Sequence, residues 1–474
     1  LDPITRWLLP NFAKYQDMLF AVRTHENTAA IRHTYALHAL NHVVTARALI
    51  AKHDGQIRAA AAAARLRRME KAFKDQGFTR PRVLVLLPFR HTALLFVKDL
   101  MMCLGVKEVG NLSRFREEFS AEDTDVEPAK TDFAQTFAGN ISDEFKVGIS
   151  VSNKRMKLYA DFYDSDIVVA SPLGLRLVVG GEGDKDRDYD FLSSVEVVIM
   201  DHCDTIVMQN WDHVKEVFAV LNKLPTKPRD TDFGRLRTAA MNGLAANYRQ
   251  TLVFSAFQHA EVSWLWRHHC ANIAGGIAVL PQLEGSIGAV MPTVRQVFRR
   301  LQPKSAVHRA DVFFEYFKST VLPHLRAGAT PEVNAQPHTL VYVPSYLDYV
   351  RLRNLLLRED VEFNQCNEYL DVPDVTRARS HFKSGHVPIL LFSERFHFFR
   401  RERIQGVRHL VFYGPPTFAS FYPDMLNLVE EATTEPSSCL VLYSRFDAHA
   451  VTRILGDKRA AKLLTMQATS HMFC

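Results

Sequence analysis

Short, nearly unbroken apolar runs recur along the chain, each bounded by proline, glycine, a small residue or a charge, and stretches of helical spacing lie between them. The runs fall at 83–87, 166–170, 195–200, 251–254, 339–343, 388–392, 409–413 and 439–443. Runs this short and this rich in valine, isoleucine and aromatic residues predict strands covered on both faces. Helical periods follow at 92–102, 346–358 and 375–383, and Pro172 stands where it would open another helix. Strands alternating with helices over this length predict an α/β protein built on parallel sheets with helices on both faces.

Around this skeleton the pattern predicts an amino-terminal arm over 1–27, a first domain over 28–285 and a second over 286–474. The Gly- and Pro-bearing stretch 275–292 reads as the connection between them. Residues 28–78 read as helical, with an alanine run leading into RLRRMEKAFK, whose basic face fits either solvent or nucleic acid. The polar, acidic stretch 114–143 reads as an insertion or mobile loop.

Composition narrows the class. Of 474 residues, 47% are apolar and 23% charged, and no apolar run approaches the roughly 18 residues a membrane crossing needs, so a soluble chain with no membrane partner is expected. The opening LDPITRWLLPNF lacks the zones of a secretory signal and does not begin with Met, so the chain reads as part of something longer. Six scattered cysteines show no zinc spacing, which fits reduced thiols and no metal site. A net charge of +6 leans only slightly toward an acidic partner.

The candidate chemistry lies just past the run 195–200, where Asp201, His202, Cys203 and Asp204 follow in sequence. Parallel sheets carry their sites at this end of a strand. Six motifs in order resemble those of superfamily-two helicases: LLPFRHTAL, SPLGLR, MDHCD, SAF, VYVPSYLDYVRLRNLL and RARSHFKSGHVPILLFSERF. That resemblance implies two tandem RecA-like domains in degenerate form, with an amino-terminal helical extension. More specifically, MQNWDHV, VYVPSY, LDYVRLRN, ERFHFFRRERIQGVRHLVFYG and IRHTYALHALNHV resemble the digestive organ expansion factor family, DEAD-box-like nucleolar proteins of the small-subunit processome. Membership would imply work in the nucleus on pre-ribosomal or small nucleolar RNA with other processome proteins, and an acidic, disordered segment upstream.

Nucleotide hydrolysis on this fold needs a Gly-rich loop with a lysine, a carboxylate to position water and arginines on the transferred phosphoryl group. GxxxxGK[ST] occurs nowhere; its place, before the strand at 83, is expected to be taken by a helix such as ALHALNHV. His202 stands for the water-positioning Glu, and YPDMLNLVEEA at 422–432 holds no arginine. The expected protein is a pseudo-helicase with no cofactor and no catalytic residue; an atypical RNA-dependent ATPase and a protein-only adaptor are the alternatives. Candidate RNA contacts are Arg395, Arg400, Arg401 and Arg403, which alternate with phenylalanines, together with Arg90 and with Ser171 and Arg176 of SPLGLR. The other reading of the arginine–phenylalanine stretch is a phenylalanine core whose arginines pair with neighbours such as Glu394 and Glu402.

Overall fold

A β-branched residue buried on either face of a pleated sheet needs apolar cover on both sides, and here every apolar run finds it. The computed structural model describes residues 2–473 except 63–72, 107, 122–131, 153, 182, 185–186, 228, 230, 328–336 and 431–436. Two units divide the chain, Leu1–Pro281 and Gln282–Cys474.

The first unit is a sheet of β1 (Asp17–Phe20), β2 (Val83–Leu86), β3 (Glu108–Gly110), β4 (Lys146–Ser152), β5 (Arg155–Leu158), β6 (Ile167–Ala170), β7 (Val197–Met200), β8 (Gln250–Phe254) and β9 (Gly276–Val279). Its order is β3-β5-β4-β6-β2-β7-β8-β1-β9. From β6 to β9 every pairing is parallel, whereas β4 runs antiparallel to both neighbours. Alternate residues divide between two cores. Val83, Val85, Ile167, Val169, Val197 and Ile199 face α1 (Pro3–Phe12), α2 (Thr28–Ala62) and α3 (Arg90–Leu104). Leu84, Leu86, Val198 and Met200 face the helices Pro172–Val179 and Trp211–Val220. Each such side chain contributes about 1.5–3 kcal/mol through burial.

Three expectations change here. Residues 17–20 are no surface arm: β1 lies inside the sheet, between β8 and β9, and Leu8 and Phe12 of α1 are wholly buried. At only four residues, β1 was hidden by its length and by the polar residues 14–17 that lead into it. The expected connection 275–292 gives β9 to the first sheet before the chain leaves that unit. The expected loop 114–143 begins as a helix, Leu112–Phe119, whose Phe115 and Phe119 rings stack at 4.3 Å in the core. The rest of that stretch over 122–131, and most of the basic helix expected at 65–74, lie outside the described residues.

The second unit is a sheet of β10 (Arg295–Arg300), β11 (Thr339–Val343), β12 (Phe363–Cys366), β13 (Ile389–Ser393), β14 (His409–Phe412), β15 (Ser438–Tyr443) and β16 (Ser470–Phe473). Its order is β12-β13-β11-β14-β15-β10-β16, parallel throughout except for β16. Leu340, Tyr342, Leu390, Phe392 and Phe412 pack on one face and Val341, Val343, Leu391 and Val411 on the other. Two tandem α/β units with parallel central strands are the architecture the motif order implied.

Candidate functional site

At the carboxyl edge of the first sheet, four strand ends bring the motif residues together. Asp201 leaves β7 and is 1% exposed. Arg23, just past β1, places its Nε 2.9 Å from Asp201 Oδ1, with the N–H angled off the oxygen, so the contact is an ion pair rather than an aligned hydrogen bond. The Tyr35 hydroxyl of α2 donates to Asp201 Oδ2 at 3.1 Å. His202 takes a left-handed backbone conformation, φ 58°, that suits its own amide to donate to Asp201 Oδ1 at 2.7 Å. Its ring nitrogen Nε2 lies 2.6 Å from Arg23 Nη2. Burial, and then the Arg23 charge, hold His202 well below the ordinary histidine range, so the ring is neutral and accepts from the guanidinium.

Cys203 is fully buried, its thiol pushed well up by burial and then by Asp204 and Asp201, and it donates to Met200 O at 3.7 Å. It is a core residue. Asp204 Oδ1 accepts from the Ala256 amide at 3.0 Å, which ties the MDHCD loop to the SAF loop after β8.

The strand that enters α2 through a loop is β1, so the place of the phosphate-binding loop is residues 21–28, not the helix before β2. ALHALNHV lies inside α2 itself. The loop reads AVRTHENT, without glycine or lysine. Its amides are taken up locally: Arg23 N donates to Ser255 O at 3.0 Å, Thr24 N to Asn27 Oδ1 at 2.8 Å, and Asn27 N to Thr24 Oγ1 at 3.3 Å. Arg23 and Tyr35 were missed from the sequence. The available signal was the apolar MLFAV of 18–22 followed at once by a basic residue, the outline of a strand running into a loop.

The RNA candidates are placed as follows. Arg90 donates to the carbonyls of Glu118 at 3.0 Å and Glu144 at 2.9 Å, pinning the helix Leu112–Phe119. Ser171 caps the helix Pro172–Val179, accepting from Gly174 N at 2.8 Å, and its hydroxyl donates to Asp143 O. Residues 143–145 lie against that helix terminus, since a Cβ on Gly174 would clash with the Phe145 carbonyl oxygen. Arg176 is paired with Glu216. In the second unit Phe396 and Phe398 are core, Arg395 pairs with Glu368 at 2.7 Å, Arg401 with Asp424 at 2.9 Å, and Arg400 donates to Leu370 O at 2.9 Å. The side chain of Arg403 is exposed. The anionic partners are therefore Glu368 and Asp424, while Glu402 pairs with Arg379.

Glu394 has a different environment. It is 0% exposed, accepts from the Tyr342 hydroxyl at 3.1 Å and from the Thr417 amide at 3.0 Å, and its carboxyl is pushed up to about 7 by burial, against the pull of those two donors. Arg453 is buried nearby and lowered to about 10 by burial, with Glu394 acting the other way. Asp424, in the segment where a helicase would carry its phosphoryl-contacting arginines, instead gathers Arg401 and His397. Among the described residues, no group of three or more His, Cys, Asp or Glu is arranged to hold a metal, and no helix is long and apolar enough to cross a membrane.

The strand order, the strand-end motifs and the paired units define a tandem RecA-like protein of the superfamily-two helicase type. Within that class the match is to UTP25: residues 15–277 fit its NTP hydrolase-like domain and 286–473 its C-terminal domain, and the chain belongs to that family. It is 40% identical to the U3 small nucleolar RNA-associated protein 25 homolog of Xenopus tropicalis, over 99% of this chain and 62% of that protein. It is 37% identical to U3 small nucleolar RNA-associated protein 25 of Schizosaccharomyces japonicus, over 96% of this chain and 70% of that one. The chain thus spans about three fifths of the length of the vertebrate relatives it matches. Among solved structures, a DEAD box protein from Methanococcus jannaschii covers 91% of this chain, with 83% of its own covered, at 12% identity and a TM-score of 0.26; the fold assignment rests on the sheet order and not on that likeness.

Proposed function

We propose that this chain is a non-catalytic, DEAD-box-like scaffold of small-subunit ribosome assembly that binds pre-ribosomal or small nucleolar RNA and other processome proteins in the nucleolus. The observation that carries the reading is Arg23: a guanidinium of the chain itself lies in the loop where a nucleotidase holds phosphates, paired with Asp201 and His202. A phosphate cradle needs backbone amides free to converge on the anion, whereas Thr24, Asn27 and Ser255 take up amides of this loop. His202 is neutral and half-buried, so it supplies no anion to orient water. Loss of each such part costs orders of magnitude in rate. The names of the relatives, which associate those proteins with U3 small nucleolar RNA, support the assembly role.

The RNA contact proposed from the arginine-rich stretch reduces to Arg400 and Arg403, since Arg395 and Arg401 are held by carboxylates. Ultraviolet crosslinking of the purified chain to labelled RNA tests the reading. Crosslinks that weaken in an Arg400→Glu, Arg403→Glu variant are expected; a chain that captures no RNA at all is a protein-only adaptor.

A further inference from the structure

The second sheet carries a cationic cavity at the opposite end from its motif residues. Register places His409, Ser438 and Arg295 in one row across β14, β15 and β10, each at the first residue of its strand. Two residues along β10, Val297 separates Arg295 from Arg299 on the same face, because side chains alternate along a strand. The helical segment Arg309–Ala327 covers this face, and between them remains a cavity of about 320 Å³ that also reaches Thr320 and His324.

Its chemistry is one-sided. No carboxylate lines it among the described residues, and Arg295, Arg299 and His324 have no ion pair among them. Arg299 donates from Nη1 to Thr469 Oγ1 at 3.2 Å, while its Nε–H is buried with no acceptor among the described residues. Arg299 is half-buried, and its guanidinium also lies over the Tyr316 ring, 5.8 Å from the centroid. The covering segment also carries a π-helical turn at Phe317–Val321, a rare distortion that recurs at functional sites, and Thr320 and Val321 in that turn line the cavity.

We propose that this cavity is a phosphate site that receives the backbone of bound RNA, with Arg295 and Arg299 as the paired cations and Thr320 and His324 as further donors, beside a His409 Nδ1–Ser438 Oγ pair bonded to each other at 2.9 Å. Two guanidiniums on one strand face, with hydroxyls between them and no acid to compete, suit a phosphodiester's non-bridging oxygens. The site lies at the amino ends of the strands and so is separate from Arg400 and Arg403. The RNA source of the phosphate rests on the scaffold reading above; the anion site itself rests on the cavity.

Fluorescence anisotropy of a labelled single-stranded RNA on the purified chain, measured across a salt series, tests it. The Arg295→Glu, Arg299→Glu variant is expected to bind on the order of tenfold more weakly or worse at ~0.1 M salt and to lower the slope of log affinity against log salt by about 2. An Arg295→Gln, Arg299→Gln variant keeps the side-chain size and should show the same slope change should charge reversal perturb folding. Unchanged affinity and slope in either folded variant overturn the site while leaving the scaffold reading intact. Inorganic pyrophosphate, followed through the ring resonances of His324 and His409, reads the cavity without RNA. Shifts in the wild type that vanish in the glutamine variant are expected. Should the wild type bind no RNA yet still give these shifts, the phosphate site stands and its RNA source is overturned; absence of any shift overturns the site.

Discussion

At the carboxyl edge of the first sheet the buried acid, Asp201, meets a guanidinium at 2.9 Å; at the same edge of the second, Glu394 meets a phenol and a backbone amide. Both acids follow a buried parallel strand, at the end where α/β folds place their chemistry. The environments part in sign. Asp201 is balanced by an internal charge, and the histidine beside it is kept neutral, so the first edge is closed by its own side chains. Glu394 takes its hydrogen bonds from neutral donors, with the nearby Arg453 charge a lesser pull, and burial pushes its carboxyl up to about 7. The same strand end can thus be sealed by pairing or left responsive to protons, depending on which side chain the neighbouring loop supplies.

The largest expected effect comes from breaking the pair. Arg23→Ala leaves Asp201 buried and uncompensated, and the first unit should lose about 3–5 kcal/mol, read by hydrogen exchange of the β7 and β8 amides. Asp201→Asn added to Arg23→Ala should recover much of that loss, and a double-mutant cycle measures the coupling.

Acidity separates the units next. Glu394 has a folded value raised to about 7 from an unfolded value near 4.3, so its contribution is present below about pH 4.3 and is lost as pH rises through 7. The second unit should therefore weaken across that window by on the order of 3 kcal/mol, and Glu394→Gln should flatten the curve, followed at the β11 and β13 amides. The first unit runs the other way. His38, buried and donating to Gln250 Oε1 at 2.7 Å, is pushed down to about 4 by burial. Its contribution is full above about pH 6.5 and is lost as pH falls toward 4, again by on the order of 3 kcal/mol. His38→Gln should remove that acid sensitivity in urea titrations at pH 7 and 5.

The smallest effect is at the loop tie. Asp204→Ala strands the Ala256 amide and should cost about 1–2 kcal/mol in urea unfolding, whereas Asp204→Asn, which keeps an acceptor, should cost less.

Much of this architecture could be read from the chain. The strands at 339–343 and 409–412 and the helix at 346–358 stand where apolar runs and helical spacing put them, because residues covered on both faces leave an uninterrupted signal. Strands whose partners are polar or at an edge were lost: β9 alternates exposed with half-buried residues, and β3 is three residues long. The acidic motif was legible as a segment, but its partner was not. Arg23 and Asp201 lie far apart in sequence, and only the insertion of β1 beside β8 joins them. The arginines at 395 and 401 illustrate the same limit: their charge is visible in the sequence, whereas Glu368 and Asp424, which neutralise it, come from other elements.

The central claim, that the nucleotide site is filled by the chain's own Arg23, is tested most directly by calorimetric titration of the purified chain with magnesium ATP, paired with phosphate release in the presence of RNA. The account predicts no binding tighter than ~1 mM, equivalent to about 4 kcal/mol, and no release above background. Micromolar binding with RNA-stimulated hydrolysis that disappears in Asp201→Ala would contradict it.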